Sequence, residues 1–545
     1  ANGKVVVRFP ADKFTFSAGA ATGIANVNGM DGDFTASVDQ VNDVITITRS
    51  NGGAAIAGAK SFDLTNIQNP SVTGGTGTFA IETQTNGGAK IDEGTAPQAL
   101  ITGQPLTLTS VTLADYEVSA TGNMTASFKT KNAVPVGGYF KITMPNIFDV
   151  TGVGANATSA VITGSKTITR DGFVLRVLLE NGLGANVTVN DLVIGGVKNP
   201  DFSGLTGTFA METEDSGNLM INEAPAVTGV TITAGLIDPA SVTRGSLVAG
   251  STTGNIGVSF TTEHPIPANG KIVVKFPAGK FTLNSGASTG IANVSGIGGT
   301  FIVSVSGDDL TITRQNDGGS SIAGAKSFEL TNIKNPEVSG GTGAFTLETQ
   351  TNGSAKIDEG TAAQLTIQPG VINPGTVMPV SLVAGTAGIV NVSFTTANPI
   401  PANGKIVVTF PSTFTMNSGA ATGIQNAVGI LGTFSVDASS NAVVITRQND
   451  AGASSAGAKS FQLTNVQNPR VSGTTALFAI ETKTNGNTLI DQKLDVAGVP
   501  IDPGVVNPAS VLLSSYVACD PNATTMTVSF TGPNPLTADG KIIFT

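Results

Sequence analysis

Apolar and polar residues alternate with a period of two along most of the chain. In GIVNVSFTT (388–396) Val390, Val392 and Phe394 alternate with polar neighbours, as do Phe301, Val303 and Val305 in FIVSVSG and Leu310 and Ile312 in DDLTITR. Alternating β-branched and aromatic residues punctuated by Asn-Gly, Asp-Gly and Gly-Gly predict half-buried antiparallel strands joined by tight turns. No stretch sustains a 3.6-residue period between helix caps, so helix is expected to be close to absent.

The strands recur in blocks. ANGKVVVRFP at 1–10 returns as ANGKIVVKFP at 268–277 and ANGKIVVTFP at 402–411, with a weaker copy, VGGYFKITMP, at 136–145 and a further one starting at Ala538. The starts are 135, 132, 134 and 136 residues apart. LTNI-type strands ending in Asn-Pro at Pro70, Pro200, Pro336 and Pro469 keep the same phase, each followed by a TFAIETQT-like strand carrying Glu82, Glu212, Glu348 or Glu481. Solenoid units are about 20–50 residues long, so a period near 134 predicts self-contained domains. Several strands per unit point to an all-β tandem array of immunoglobulin-like antiparallel sandwiches.

A unit starts near a DPASV segment and ends after IDEGTA. That frame divides the chain into 1–103, a partial repeat without its first strands; 104–231, a divergent repeat; 232–368 and 369–500, two further repeats; and 501–545, the opening strands of another. Prolines in the Phe-Pro and Asn-Pro pairs stand where ladder pairing must stop, since proline has no N–H to donate. The junctions TITAGLIDPASV (231–242) and LTIQPGVINPGTV (365–377) are short and proline-stiffened. Residues 1–103 and 501–545 are complementary parts of one domain. Two explanations stay open: a window cut from a longer chain, or head-to-tail exchange in which 501–545 of one molecule completes 1–103 of the next. The second geometry does not close and would build a filament. The chain starts at Ala1 rather than Met, which reads as a processed or internal start.

Composition narrows the chemistry. Among 545 residues there are 68 Gly and 26 Pro but no Trp, three Tyr, one Cys and one His. A triad or a Cys/His zinc site would have to use His264 in a single copy, so an enzyme is not expected, and neither is a small-molecule substrate or cofactor. The net charge of −10, with Lys and Arg scattered singly, argues against nucleic acid. No apolar run reaches the ~18–20 residues of a membrane span. Sugar recognition leans on Trp and Tyr faces, and only Tyr116, Tyr139 and Tyr516 are present.

Several residues remain candidates. Asp92-Glu93 and Asp358-Glu359 recur in phase, with Asn222-Glu223 and Asp491-Gln492 in the other units; such pairs could ligate calcium at a junction, against the plainer reading of a solvated loop. Glu82, Glu212, Glu348 and Glu481 are expected to face solvent or to pair with lysines such as Lys60, Lys326 or Lys459. Cys519 stands where other units read LVAGS or LVAGT; it is either a crosslinking thiol or a buried free one. His264, aligned with Asn398, reads as a turn residue. Sequons at Asn123, Asn156, Asn186, Asn293, Asn352, Asn391 and Asn522 permit N-glycosylation in a secretory pathway.

The β units near 134 residues, the DPASV-type junctions and the GKIVVTFP and TFAIETQT strands together resemble the tandem immunoglobulin-like repeat proteins of microbial and algal cell surfaces. The resemblance spans essentially the whole chain. It implies an extracellular stalk, surface filament, flagellar hair or adhesin shaft; Gly/Thr/Ala surfaces with sparse charge allow lateral or head-to-tail self-association. Near-identical copies favour a function served by repetition. The alternative is the shaft of an adhesin whose binding tip lies outside this segment.

Overall fold

The computed structural model describes residues 2–53, 56–449, 452–507, 509–522 and 525–545. Ala1, where the sequence starts, and residues 523–524 of the Asn522 sequon lie outside the described residues. Every helical or extended element among the described residues is a strand. No helix is long and apolar enough to cross a membrane. The chain forms two compact units, Ala1–Ala234 and Gly235–Thr545.

Within the second unit, residues 370–496 show the architecture most plainly. One sheet runs Gly370–Val371, Leu489–Val496, Phe478–Lys483, Lys405–Thr409, Ala442–Gln448, Thr433–Ser439. The other runs Gly375–Pro379, Ala387–Thr396, Gly457–Gln467, Ile424–Val428. The period-two pattern decides which side chains turn inward. Val390, Val392 and Phe394 from one sheet and Ile406, Val408 and Phe478 from the other share one core. Each buried side chain of this size contributes about 1.5–3 kcal/mol. Residues 235–362 repeat the arrangement, except that Gly235–Arg244 runs through both sheets. It starts parallel to Lys356–Ala362 and continues antiparallel to Ile256–Thr262.

A buried arginine ties the loops of each of these sandwiches. Arg447 donates through Nη1 to the carbonyls of Ile400 and Pro401 (2.5 Å each), through Nε to Leu431 O (3.0 Å) and through Nη2 to Gly452 O (2.8 Å). Arg314 makes the corresponding bonds to Ile266, Pro267, Gly298 and Gly319. A guanidinium buried this completely is tolerable because fixed carbonyl dipoles replace its water.

In the first unit, residues 104–227 pack a six-stranded sheet on a three-stranded one. Phe140 and Phe128, one from each, stack at 4.4 Å. Residues 2–96 differ. Their five-stranded sheet, ordered Lys90–Ala96, Phe79–Thr85, Gly3–Arg8, Val44–Ser50, Asp33–Asp39, is accompanied by the strand pairs Gly23–Asn28 with Ser61–Thr65 and Thr15–Phe16 with Ile67–Gln68. The buried core cluster there consists of Val7, Phe14, Phe16, Ile45 and Ile47.

Candidate inter-repeat junction

Asp491 lies on the strand Leu489–Val496, opposite Thr482 on one side and parallel to Gly370 on the other. Hydrogen-bonded neighbours on both sides leave its carboxylate fully buried. It accepts the Asn398 backbone N–H at 3.0 Å and Asn398 Nδ2 at 2.7 Å. Burial raises its pKa above the ordinary carboxylate value, against the pull of the Asn398 donors. Asn398 precedes Pro399 at the end of the Ala387–Thr396 strand, where the chain turns out of the ladder.

The same amide reaches into the preceding repeat. Asn398 Nδ2 also donates to Ala249 O at 3.2 Å. Ala249 sits in the SLVAG loop, which is locked to the linker by Ala249 N–H donating to Gln368 O (2.8 Å) and Gln368 N–H to Leu247 O (2.7 Å). Gly250 follows with φ of 68°, a conformation that suits glycine. A third tie comes from Ser339, whose N–H and Oγ both donate to Leu489 O (2.9 and 2.8 Å). Residues of repeats three and four are thus bonded across their boundary by Asn398, Ser339 and the linker.

The pattern recurs with substitutions. Asn534 Nδ2 donates to Ala384 O at 3.0 Å, while Asp502 exchanges backbone bonds with Leu382 and Ala384. Thr73 N–H donates to Met220 O at 2.7 Å, the counterpart of Ser339 and Leu489. In repeat three His264 takes the place of Asn398: its Nδ1 lies 2.7 Å from Asp358 Oδ1 and its N–H donates to Oδ2 at 3.3 Å. Burial raises the Asp358 pKa, opposed by His264. In repeat two the pair is neutral, Asn132 N–H donating to Asn222 Oδ1 (2.8 Å) and Asn222 Nδ2 to Asn132 O (3.1 Å).

A second buried amide secures each opening segment. Asn468 Nδ2 donates to Ser381 O (2.7 Å) and Val383 O (3.1 Å), Asn335 to Ser246 O and Val248 O, and Asn199 to Asp115 O and Glu117 O. These are the asparagines of the Asn-Pro pairs. These bonds tie each opening segment to the strand end that carries the asparagine.

The acidic pairs expected in a solvated loop are on strands. Neighbouring strand residues point to opposite faces, so Asp358 is buried against His264 while Glu359 is exposed and paired with Lys356 at 2.5 Å. The structure does not bring the two carboxylates of that pair to one point. Asp92 and Glu93 are both exposed; Asp92 accepts from Thr83 Oγ1 (2.9 Å) and Glu93 pairs with Lys90 (2.5 Å). The strand glutamates do pair with cations, but on their own sheet: Glu348 with Lys275 and Lys356, Glu212 with Lys141, Glu82 with Arg8 and Lys90, Glu481 with Lys483. Lys326 and Lys459 belong to the opposing sheet and are buried, donating to the carbonyls of Ile322 and Gly324 and of Ser455 and Gly457. Cys519 is exposed, with φ of 60°. Asn123, Asn156, Asn186, Asn293, Asn352, Asn391 and Asn522 are all exposed.

Sequence reasoning passed over the junction amides. His264 was expected to be a turn residue, and the Asn-Pro pairs were expected only to end strands. The usable signal was the recurrence, in one phase, of Asn132, His264, Asn398 and Asn534 before or near a proline.

No family model matches the chain, and no curated protein matches it in sequence. Among solved structures, the Escherichia coli adhesin FdeC is 13% identical with a TM-score of 0.19, the match covering 74% of this chain and 100% of that one. The T6 backbone pilin of serotype M6 Streptococcus pyogenes is 11% identical with a TM-score of 0.23, covering 71% and 100%. The major pilin SpaD from Corynebacterium diphtheriae is 12% identical with a TM-score of 0.21, covering 68% and 91%.

Proposed function

We propose that the chain is a structural segment of an extracellular filament, stalk or appendage, made by end-to-end stacking of β-sandwich repeats. One observation carries the reading: the Asn398 amide, clamped by Asp491 of its own repeat, donates to Ala249 of the repeat before it. A joint of this kind transmits orientation from one repeat to the next, because its donors are fixed by burial and its linker is only a few residues long. The recurrence of the joint at Asn534 and Ala384 extends it along the chain.

Sparse charge and Gly/Thr/Ala-rich surfaces suit packing against further copies, and the repetition itself argues for length and spacing rather than catalysis. Exposed sequons and the resemblance carried by the repeat strings accord with a cell-surface location.

Cryo-electron microscopy of the native material tests the reading. It predicts a periodic filament in which successive sandwiches follow one another at constant spacing. Isolated particles whose sandwiches adopt no constant relation to their neighbours would overturn it.

A further inference from the structure

The nine-stranded sheet of residues 235–362 ends on Ile291–Ser295 at one side and on Thr300–Ser306 at the other. Such edges present unpaired backbone N–H and C=O groups, and proteins blunt them with bulges, prolines, charges or brevity. Ile291–Ser295 is blunted: its register breaks between Ala292 and Ser295, and Asn293 has φ of 50°. In repeat four, Ile424–Val428 breaks between Gln425 and Val428, Gly375–Pro379 follows Pro374 and ends in proline, and Gly370–Val371 is two residues long. The edge of repeat two, Ile168–Asp171, carries Arg170 and Asp171.

Thr300–Ser306 has none of these guards. Its seven residues pair in unbroken register, from Thr300 opposite Gln315 to Ser306 opposite Asp309, and they include neither charge nor proline. Among the described residues its other side pairs with nothing. Phe301, Val303 and Val305 pack against the core of the sandwich but stay half-buried. Ile302 faces the other way and is 51% exposed. The corresponding strands place Thr35 and Ser435 at that position and carry Asp33, Asp39 and Asp437.

Copies with a net charge of −10 repel one another, so a lateral contact is favoured where the edge is neutral. Resting on the packing against further copies in the proposed function, we propose that Thr300–Ser306 pairs antiparallel with the same strand of a second copy, about a two-fold axis at Val303. Val303 then lies opposite Val303 of the other copy, Phe301 opposite Val305, Ile302 opposite Ser304 and Thr300 opposite Ser306. Inward residues meet inward residues, so the core-facing surface continues from one copy into the other. The two Ile302 side chains lie on a diagonal within reach of each other. The same pairing at Asp33–Asp39 would set Asp33 opposite Asp39, a like-charge pair that disfavours it. The contact uses one surface on both copies, so it joins them side by side in pairs.

Disulfide crosslinking of the full chain tests the register. In a Cys519→Ser background, one preparation carries Thr300→Cys and the other Ser306→Cys, both at exposed positions. Antiparallel pairing sets positions 300 and 306 opposite each other and keeps the two positions 300 about 20 Å apart along the strands. The oxidised mixture should therefore give dimers at about tenfold or more over either preparation alone, a preference of about 1.4 kcal/mol. Ile302→Lys in both chains should remove the excess, and so should Ser304→Lys, which leaves Ile302 in place. Both side chains face away from the core, so melting should not change. Equal crosslinking in the mixture and in the separate preparations, or an excess that survives both lysine substitutions, overturns the proposal. If the excess is missing while microscopy still shows sandwiches at constant spacing, the edge pairing fails and the stacking reading stands.

Discussion

Gly250 and Asn398 are packed so closely that a Cβ at position 250 would overlap Asn398 Oδ1. The glycine therefore serves twice, once for its φ of 68° and once for the space it leaves to the next repeat. Gly385 stands in the same relation to Asn534.

Gly250→Ala should destabilise the joint by about 1–2 kcal/mol from backbone conformation alone, plus the cost of displacing Asn398. In the double variant Gly250→Ala/Asn398→Ala the steric part should vanish, so the two changes combine to less than their sum. Thermal unfolding of the four proteins measures this. Strict additivity would show that the two residues do not act together.

Asp491 supplies a pH dependence of known sign. Its folded pKa is raised by burial, so the folded chain binds a proton that the unfolded chain releases. This contribution is full below the unfolded value near 3.8 and is lost as pH rises through the folded value. Asp491→Asn, the neutral arrangement that repeat two already has at Asn222, removes it. The melting temperature of the variant relative to the parent should rise as pH increases from about 3.8 through the raised folded value. A constant difference across that range would contradict the assignment.

Arg447→Met should cost about 3–5 kcal/mol, since four carbonyls lose their donor in a buried site. Asn468→Ala should cost about 2 kcal/mol through the carbonyls of Ser381 and Val383. Denaturant titration compares them; a smaller loss for the arginine variant than for the asparagine variant would reverse the expected ranking.

Arg447 and Asn468 mark the limit of what the sequence pattern reveals. Alternation in FIVSVSG and GIVNVSFTT predicted the strands Thr300–Ser306 and Ala387–Thr396 because a sheet with one buried face imposes that pattern directly. The turns were legible for a similar reason, as Asn-Gly and Gly-Gly supply positive φ where a chain must reverse. Arg447 and Asn468 gave no such signal. Their bonds go to main-chain carbonyls, and a carbonyl carries no mark in the sequence. Asp491 was legible as recurrent but was expected in solvent, since nothing local reveals that Gly370 pairs alongside it.

Cys519 adopts φ of 60°, where Gly250 and Gly385 have 68° and 72°. Cys519→Gly should therefore stabilise that turn by about 1 kcal/mol. Exposure of the thiol predicts complete labelling by a maleimide under native conditions. Protection of the thiol in dilute solution would contradict its placement.

Small-angle X-ray scattering of the monomer, compared with its Asn398→Ala/Asn534→Ala variant, tests the central claim that the Asn398 and Asn534 junctions hold the repeats of residues 235–545 together. The account predicts a broader distance distribution for the variant than for the parent, at unchanged secondary structure. Identical profiles for the two would show that these amides do not set the stacking.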